Sequence, residues 1–251
     1  KLWKEGFGTT SEFPHDKRPN LKNIKSKRPK NYDLVLTVEK KEFANRYVFY
    51  YASKKNEKCN KPNKWNKAYN NFQNSGISKF DKDGKTKLYL ITPQPYIEDG
   101  EDYFPHVHFL VTNKDNTKWN NKIYTKAVIV KINKNKMTEY VKKGCHIILN
   151  ALPYHYYVKS RIPNSLPMPH KIVGNKLEKQ HIVKYLKKML VHYPIVNKML
   201  KDKKIKIEQI PIVTYCYSKT CNASEKLMNK LWNMGFTNIV EYPGGIMEWT
   251  N

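Results

Sequence analysis

Ile210-Pro211-Ile212-Val213-Thr214-Tyr215-Cys216-Tyr217-Ser218-Lys219-Thr220-Cys221-Asn222-Ala223 is the stretch on which the fold turns. Its first part, Ile210–Cys216, is an apolar, β-branched run of strand length. Pro211 stands at the strand start, where a missing N–H is tolerated. A polar loop follows, then Asn222–Met234, in which Ala223, Leu227, Leu231 and Met234 share one helical face. Gly235 is placed to cap that helix. Strand, short loop and helix in this order are the unit of a parallel sheet with helices on its faces.

The same alternation extends in both directions. Thr138–Lys143 reads as a short helix and His146–Asn150 as a short buried strand. In Lys176–His192, Ile182, Val183, Leu186 and Leu190 line one face, and Pro194 is expected to end the helix. Asn238–Tyr242 is a last strand, followed by Gly244-Gly245. Upstream the pattern changes. Asp33–Val38, Tyr47–Ala52, Leu88–Thr92, Val107–Thr112 and Ile123–Ile132 read as five strands, with a turn at Asp83-Gly84 and a short helix within Glu57–Asn74. The expected organisation is therefore a basic extended arm (1–33), a β-rich domain (34–136) and an α/β domain with a parallel sheet flanked by helices (137–251).

A cysteine at the carboxyl end of a buried strand, followed by a loop and a helix N-terminus, carries a chemistry of its own. Ligands of open α/β sheets bind outside the carboxyl ends of strands. Loop N–H groups and the helix dipole make an anion cradle and lower a thiol pKa. A thiolate placed there can take sulfur from a donor and hold it as a persulfide.

Residues 137–251 resemble a single rhodanese (thiosulfate sulfurtransferase) domain. The matching pieces are Ile147-Ile148-Leu149-Asn150-Ala151, Arg161-Ile162-Pro163-Asn164-Ser165-Leu166-Pro167-Met168-Pro169 and Val213-Thr214-Tyr215-Cys216. The closing segments Leu231 to Gly235-Phe236-Thr237-Asn238-Ile239 and Tyr242-Pro243-Gly244-Gly245-Ile246-Met247-Glu248-Trp249 also match. The resemblance implies the rhodanese sheet, with Cys216 as persulfide-forming nucleophile and Lys219 as electrostatic helper. Tyr217, Ser218, Thr220 and Asn222 would form the anion-cradle loop. Cys221 is a candidate resolving thiol. No bound cofactor is implied. The usual loop of the family, Cys-Arg-x-Gly-x-Arg, reads Cys216-Tyr217-Ser218-Lys219-Thr220-Cys221 here, and Asn150 replaces a usual Asp. Arginine grips oxyanions with a bidentate fork that lysine lacks, so thiosulfate affinity should be poor. The related cysteine phosphatases need Arg where this chain has Asn222.

His106 and His108 alternate onto one face of a strand and are metal-ligand candidates. Histidine–hydrophobic–histidine is also similar to the metal motif of HUH-type replication endonucleases. Tyr140 with Lys143, or Tyr185 with Lys188, matches the spacing of their nucleophilic tyrosine and lysine. The plainer expectation is a half-exposed strand with polar histidines.

Composition bounds the partners. The 251 residues carry 47 Lys+Arg against 21 Asp+Glu, a net charge of +26. That excess suits a polyanion such as nucleic acid. It is spread evenly, +15 over residues 1–136 and +11 over 137–251, and recurs with asparagine as in an A/T-rich genome. Eighteen tyrosines and five tryptophans suffice for a core. No apolar run reaches the roughly 18 residues of a membrane helix. Cys59, Cys145, Cys216 and Cys221 lack zinc-site spacing and are too few for a disulfide scaffold, so a reducing, cytoplasmic compartment is the default and Cys145 reads as packing. The chain begins at Lys1, as a fragment or processed chain would, which leaves an upstream targeting segment open.

Two functions follow. The first is a sulfur-carrying or thiol-redox protein with a sulfur donor and acceptor. The second is an inactive rhodanese fold serving as an interaction component of a large assembly, such as a giant-virus virion, with its basic surface touching nucleic acid.

Overall fold

The computed structural model describes residues 3–4, 17–54 and 63–251. The arm expected at 1–33, the Lys/Asn-rich segment after 54 and Cys59 therefore fall partly or wholly outside the described residues. The chain divides into two compact units, the first ending at Val128 and the second comprising Ile129–Asn251 as its main part.

The first unit is β-rich. Its main sheet runs in the order β1 (Trp3–Lys4), β10 (Tyr124–Ala127), β9 (His106–Val111), β3 (Tyr47–Ala52), β5 (Ser75–Lys79), with antiparallel neighbours. β2 (Leu34–Glu39) and β6 (Lys85–Leu90) form a separate pair. β4 (Asn63–Lys64), β7 (Tyr96–Glu98) and β8 (Glu101–Tyr103) form a small third sheet beside helix α1 (Trp65–Tyr69). The expected helix shrinks to α1. β5 and the short strands were invisible because each is too short or too polar to show a period. The long strand expected at Ile123–Ile132 stops at Ala127; Lys131 instead bridges to Glu241 in the second unit's own sheet.

Both faces of the main sheet are buried. On β3, Val48, Tyr50 and Ala52 face one cluster with Leu88, Leu90 and Phe109, while Phe49 and Tyr51 face another with Tyr69, Tyr96 and Leu110. His106 and His108 lie on the second face, opposite Ala127 and Thr125 across the ladder. β9 is thus not the half-exposed strand expected from its histidines.

The second unit is a parallel sheet in the order β12 (Leu166–Pro167), β11 (Ile147–Asn150), β13 (Ile212–Tyr215), β14 (Ile239–Tyr242). Alternation sends Ile147, Leu149, Ile212 and Ile239 to one face, against α4 (Lys179–Met189), α5 (Pro194–Lys201) and α6 (Ala223–Asn233). It sends Ile148, Val213, Tyr215 and Tyr242 to the other, against α2 (Lys134–Lys143) and α7 (Gly245–Thr250). Helix α3 (Tyr154–Lys159) follows β11. Asn133 caps α2 by accepting from the Lys136 N–H at 3.0 Å, so that helix starts a turn earlier than its apolar residues suggest. Pro194 does end the preceding helical stretch, and it also opens α5, because proline at a first helical position loses no hydrogen bond.

Polar anchors fix the sheet's carboxyl end. The Tyr215 hydroxyl meets the Asn150 side-chain amide at 3.0 Å, the Ile162 N–H at 3.1 Å and Ser165 Oγ at 2.8 Å. Tyr193 reaches in from beyond α4, donating to Asn164 O and accepting from the Ile148 N–H at 3.2 Å. Cys145, read from the sequence as packing, is fully buried and is disulfide-bonded.

Two measurements follow from this packing. Tyr215→Phe strands three buried partners and should lower stability by roughly 1–3 kcal/mol in urea denaturation; a loss within error would show the hydroxyl to be idle. His146 stacks on Tyr140 with ring centroids 3.6 Å apart, and burial holds its pKa down to about 3, against 6.5 ordinarily. The unfolded chain binds a proton there first, so this contribution is complete above about 6.5 and is lost as pH falls towards 3. The thermal midpoint should drop over that window, and drop less in His146→Phe.

Candidate functional site

β13 ends at Tyr215, and the chain turns through Cys216–Asn222 before α6 begins. The turn is held from α7. The Ile246 N–H donates to Cys216 O at 3.1 Å and the Met247 N–H to Tyr217 O at 3.0 Å. Gly245 lies between, at φ +62°. A Cβ there would come within 2.5 Å of Cys216 O and 2.6 Å of Tyr217 C and O. Only glycine fits both the conformation and the approach. This explains why a glycine is needed at position 245, about thirty residues downstream of Cys216.

That docking decides which sulfur the loop serves. In a trans peptide the carbonyl and the next N–H point in opposite directions. Turning Cys216 O and Tyr217 O towards α7 turns the N–H groups of Tyr217 and Ser218 away from it, to where they and the Ala223 N–H favour negative charge on the Cys221 sulfur. Burial pushes the Cys221 thiol up, but these amides and the neighbouring Cys216 thiol outweigh it. Its pKa lies below the ordinary thiol value. Cys221 is half-buried and free.

Cys216 sits differently. It is fully buried. Its Sγ lies 3.1 Å from Cys221 O, 3.9 Å from Ser218 O and 3.3 Å from Ser224 Oγ. Carbonyl oxygens suit a thiol that donates, not a thiolate. Burial raises its pKa, more than contact with Ser224 lowers it. The loop amides thus favour charge on Cys221, whereas Cys216 feels chiefly its burial, offset in part by Ser224. Each thiol influences the ionisation of the other.

Other loop residues depart from their expected parts. Lys219 does not face the sulfurs: its Nζ pairs with Glu248 Oε1 at 2.9 Å and holds that carboxyl below its usual range. Ser218 and Thr220 join hydroxyls at 3.1 Å. Asn222 is exposed and makes no side-chain cap on α6. Sequence reading missed Ser224 and Glu241. Both are buried, and Ser224 Oγ donates to Glu241 Oε1 at 2.7 Å. The available signal was Glu241 itself, a charge placed inside a buried strand.

The histidine pair of the first unit is a closed network. His106 Nδ1 lies 2.7 Å from Phe104 O, an acceptor only, so that nitrogen carries the proton and Nε2 offers a lone pair. His108 Nε2 approaches it to 3.0 Å and Tyr96 OH to 3.1 Å; His108 Nδ1 meets Thr125 Oγ1 at 2.8 Å. Burial lowers both pKa values, that of His106 to about 4. Among the described residues no group of three or more His, Cys, Asp or Glu is placed to hold a metal. Tyr140 is stacked on His146, and Tyr185 donates to Pro167 O at 3.2 Å, so both proposed nucleophilic tyrosines have structural partners. No helix among the described residues is long and apolar enough to cross a membrane.

Residues 133–251 match the family model of the rhodanese-like domain. This C-terminal half thus carries a rhodanese-like domain, with the parallel sheet and flanking helices described above. Solved structures similar to the chain include a human single-domain sulfurtransferase at 14% identity, covering 49% of this chain and 96% of that one with a TM-score of 0.35. A single-domain sulfurtransferase of Saccharomyces cerevisiae matches at 11% identity, covering 50% and 91%, with a TM-score of 0.35. A rhodanese-related protein of Thermoplasma volcanium matches at 19%, covering 48% and 90%, with a TM-score of 0.32. No curated protein matches the chain.

The site geometry sets an order of thiol reactivity. With limiting iodoacetamide at neutral pH, peptide mapping should find Cys221 alkylated faster than Cys216 by roughly tenfold or more; the reverse order would refute this account. In Gly245→Ala the loop must shift, so Cys216 should become alkylated under conditions where the native chain protects it.

Proposed function

We propose that the rhodanese-like half is a sulfane-sulfur carrier with thiol-redox capability, and that Cys221 is the thiol that carries the sulfur. One observation supports this above the others: a half-exposed thiol just before α6 is held below its ordinary pKa by loop and helix amides and by a neighbouring thiol. Those donors stabilise a thiolate and, after sulfur uptake, a persulfide anion of the same charge. Cys216, at the family's nucleophile position, is cast as the inner partner because its sulfur is sealed from solvent.

Donor choice follows from charge. Both family arginines are missing, and Lys219 is engaged by Glu248. A thiosulfate dianion gains little here, whereas a persulfide or polysulfide needs only the amide cradle. Acceptors are thiols that reach the exposed side of Cys221.

A second reading, a fold retained for binding within a larger assembly, draws on the sealed Cys216 and on the chain's net charge of +26. The two readings separate by intact mass. After treatment with inorganic polysulfide, a gain of one sulfur atom is expected in Cys216→Ser and is absent in Cys221→Ser. A smaller gain is expected from thiosulfate. No adduct in either variant supports the binding scaffold; an adduct that follows Cys216 instead refutes the assignment to Cys221.

A further inference from the structure

Ser224 and Glu241 have no part in an amide cradle for Cys221, yet both are buried on the α6 side of the sheet. Glu241 shares its strand face with Ile239, and its residue is only 3% exposed. A carboxyl on an apolar face is costly unless its oxygens are partnered. Oε1 accepts from Ser224 Oγ. Oε2 is buried with no hydrogen-bond partner, and Lys131 Nζ lies 3.7 Å away at the exposed rim. At the other end, Ser224 Oγ lies 3.3 Å from Cys216 Sγ. The result is an unbroken line from sealed sulfur through hydroxyl and carboxyl to a cation at the solvent boundary. A glutamine would hold the Ser224 hydroxyl equally well; a group that accepts a proton is required only if a proton moves.

We propose that Ser224 and Glu241 are positioning residues that draw the proton from Cys216 and so make it the resolving thiol for sulfur held on Cys221. This rests on Cys221 being the carrier. The buried Cys216 thiol is held above its ordinary pKa, so without a base it is a poor nucleophile at neutral pH, though a strong one once deprotonated. The Cys216 proton passes to Ser224 Oγ as the Ser224 proton passes to Glu241. The Cys216 thiolate then attacks Sγ of the Cys221 persulfide. A Cys216–Cys221 bond forms, the bond to the outer sulfur breaks, and that sulfur takes a proton from water and leaves as hydrosulfide, while Glu241 returns the proton it gained to solvent. Two thiols are oxidised to a disulfide while the sulfane sulfur is reduced. An external thiol reductant resets the pair. The protein would thus deliver sulfur as sulfide.

The charged and titratable groups around this line are Cys221 from the loop, Glu241 from β14 and Lys131 from the segment bridged to it. From α7 comes Glu248, already paired with Lys219. A pH profile of the resolving step therefore reads Cys216 first.

The test uses the full chain and the aromatic disulfide dithiobis(nitrobenzoate), which needs no sulfur-transfer activity. Cys221 displaces one coloured thiolate; Cys216 then attacks the mixed disulfide and displaces the second. Two equivalents are expected from the native chain and one from Cys216→Ser. In Glu241→Gln the ratio of second-phase to first-phase rate should fall roughly tenfold to a hundredfold. The second phase should also become steeply dependent on pH, rising about tenfold per unit, as expected for attack by a thiolate formed without internal base. Ser224→Ala should behave alike. Second phases that match the native chain in both variants overturn the relay, as does slowing with an unchanged pH profile. A slowed, pH-dependent second phase in a chain that takes no sulfur from polysulfide overturns the carrier reading alone and leaves the relay as a thiol-redox device.

Discussion

The arrangement of the site depends on one close approach between backbones. α7 can donate to the carbonyls of Cys216 and Tyr217 only because residue 245 has no side chain. Peptide planarity then carries the consequence through the loop. Carbonyls aimed at α7 oblige the following N–H groups to face the other way, where they favour a thiolate at Cys221. Cys216 is left beneath the loop among carbonyls and beside Ser224. Thus a helix at the chain's end, not the loop's own sequence, assigns the two thiols their environments.

This is also why the sequence revealed the scaffold better than the site. β13 and α6 were legible because a β-branched run and a helical stripe are local signals. The parallel order followed from strand–helix alternation. The cradle's direction was not legible, since it depends on hydrogen bonds between loop residues and residues about thirty positions later. Nor was Lys219's engagement, which requires knowing that Glu248 comes to 2.9 Å. Glu241 stood in plain view within Asn238–Tyr242, but only its burial next to Ser224 gives it meaning. In the first unit, strands of two or three residues such as β4, β7 and β8 carry no readable period. The His106–His108 alternation was correctly visible, whereas the tyrosines that close around it come from α1 and β7, far apart in sequence.

The rhodanese-like half also shows how buried polar groups can specify a parallel sheet. Asn150 and Ser165 both bond to the buried Tyr215 hydroxyl at the carboxyl end of the sheet. Unmatched, each would weaken the core; matched, they hold β11, β13 and the segment before β12 in register.

One further feature separates the cysteines from one another. Cys145 is already oxidised, while Cys216 and Cys221 are both thiols. A single chain thus holds sulfur at two oxidation levels. Bulk redox potential alone does not sort them; accessibility does, because exchange requires an attacking thiolate to reach a sulfur. Cys145 is fully buried, and Cys221 is half-buried. A reagent in solvent therefore meets the Cys221 sulfur before that of Cys145.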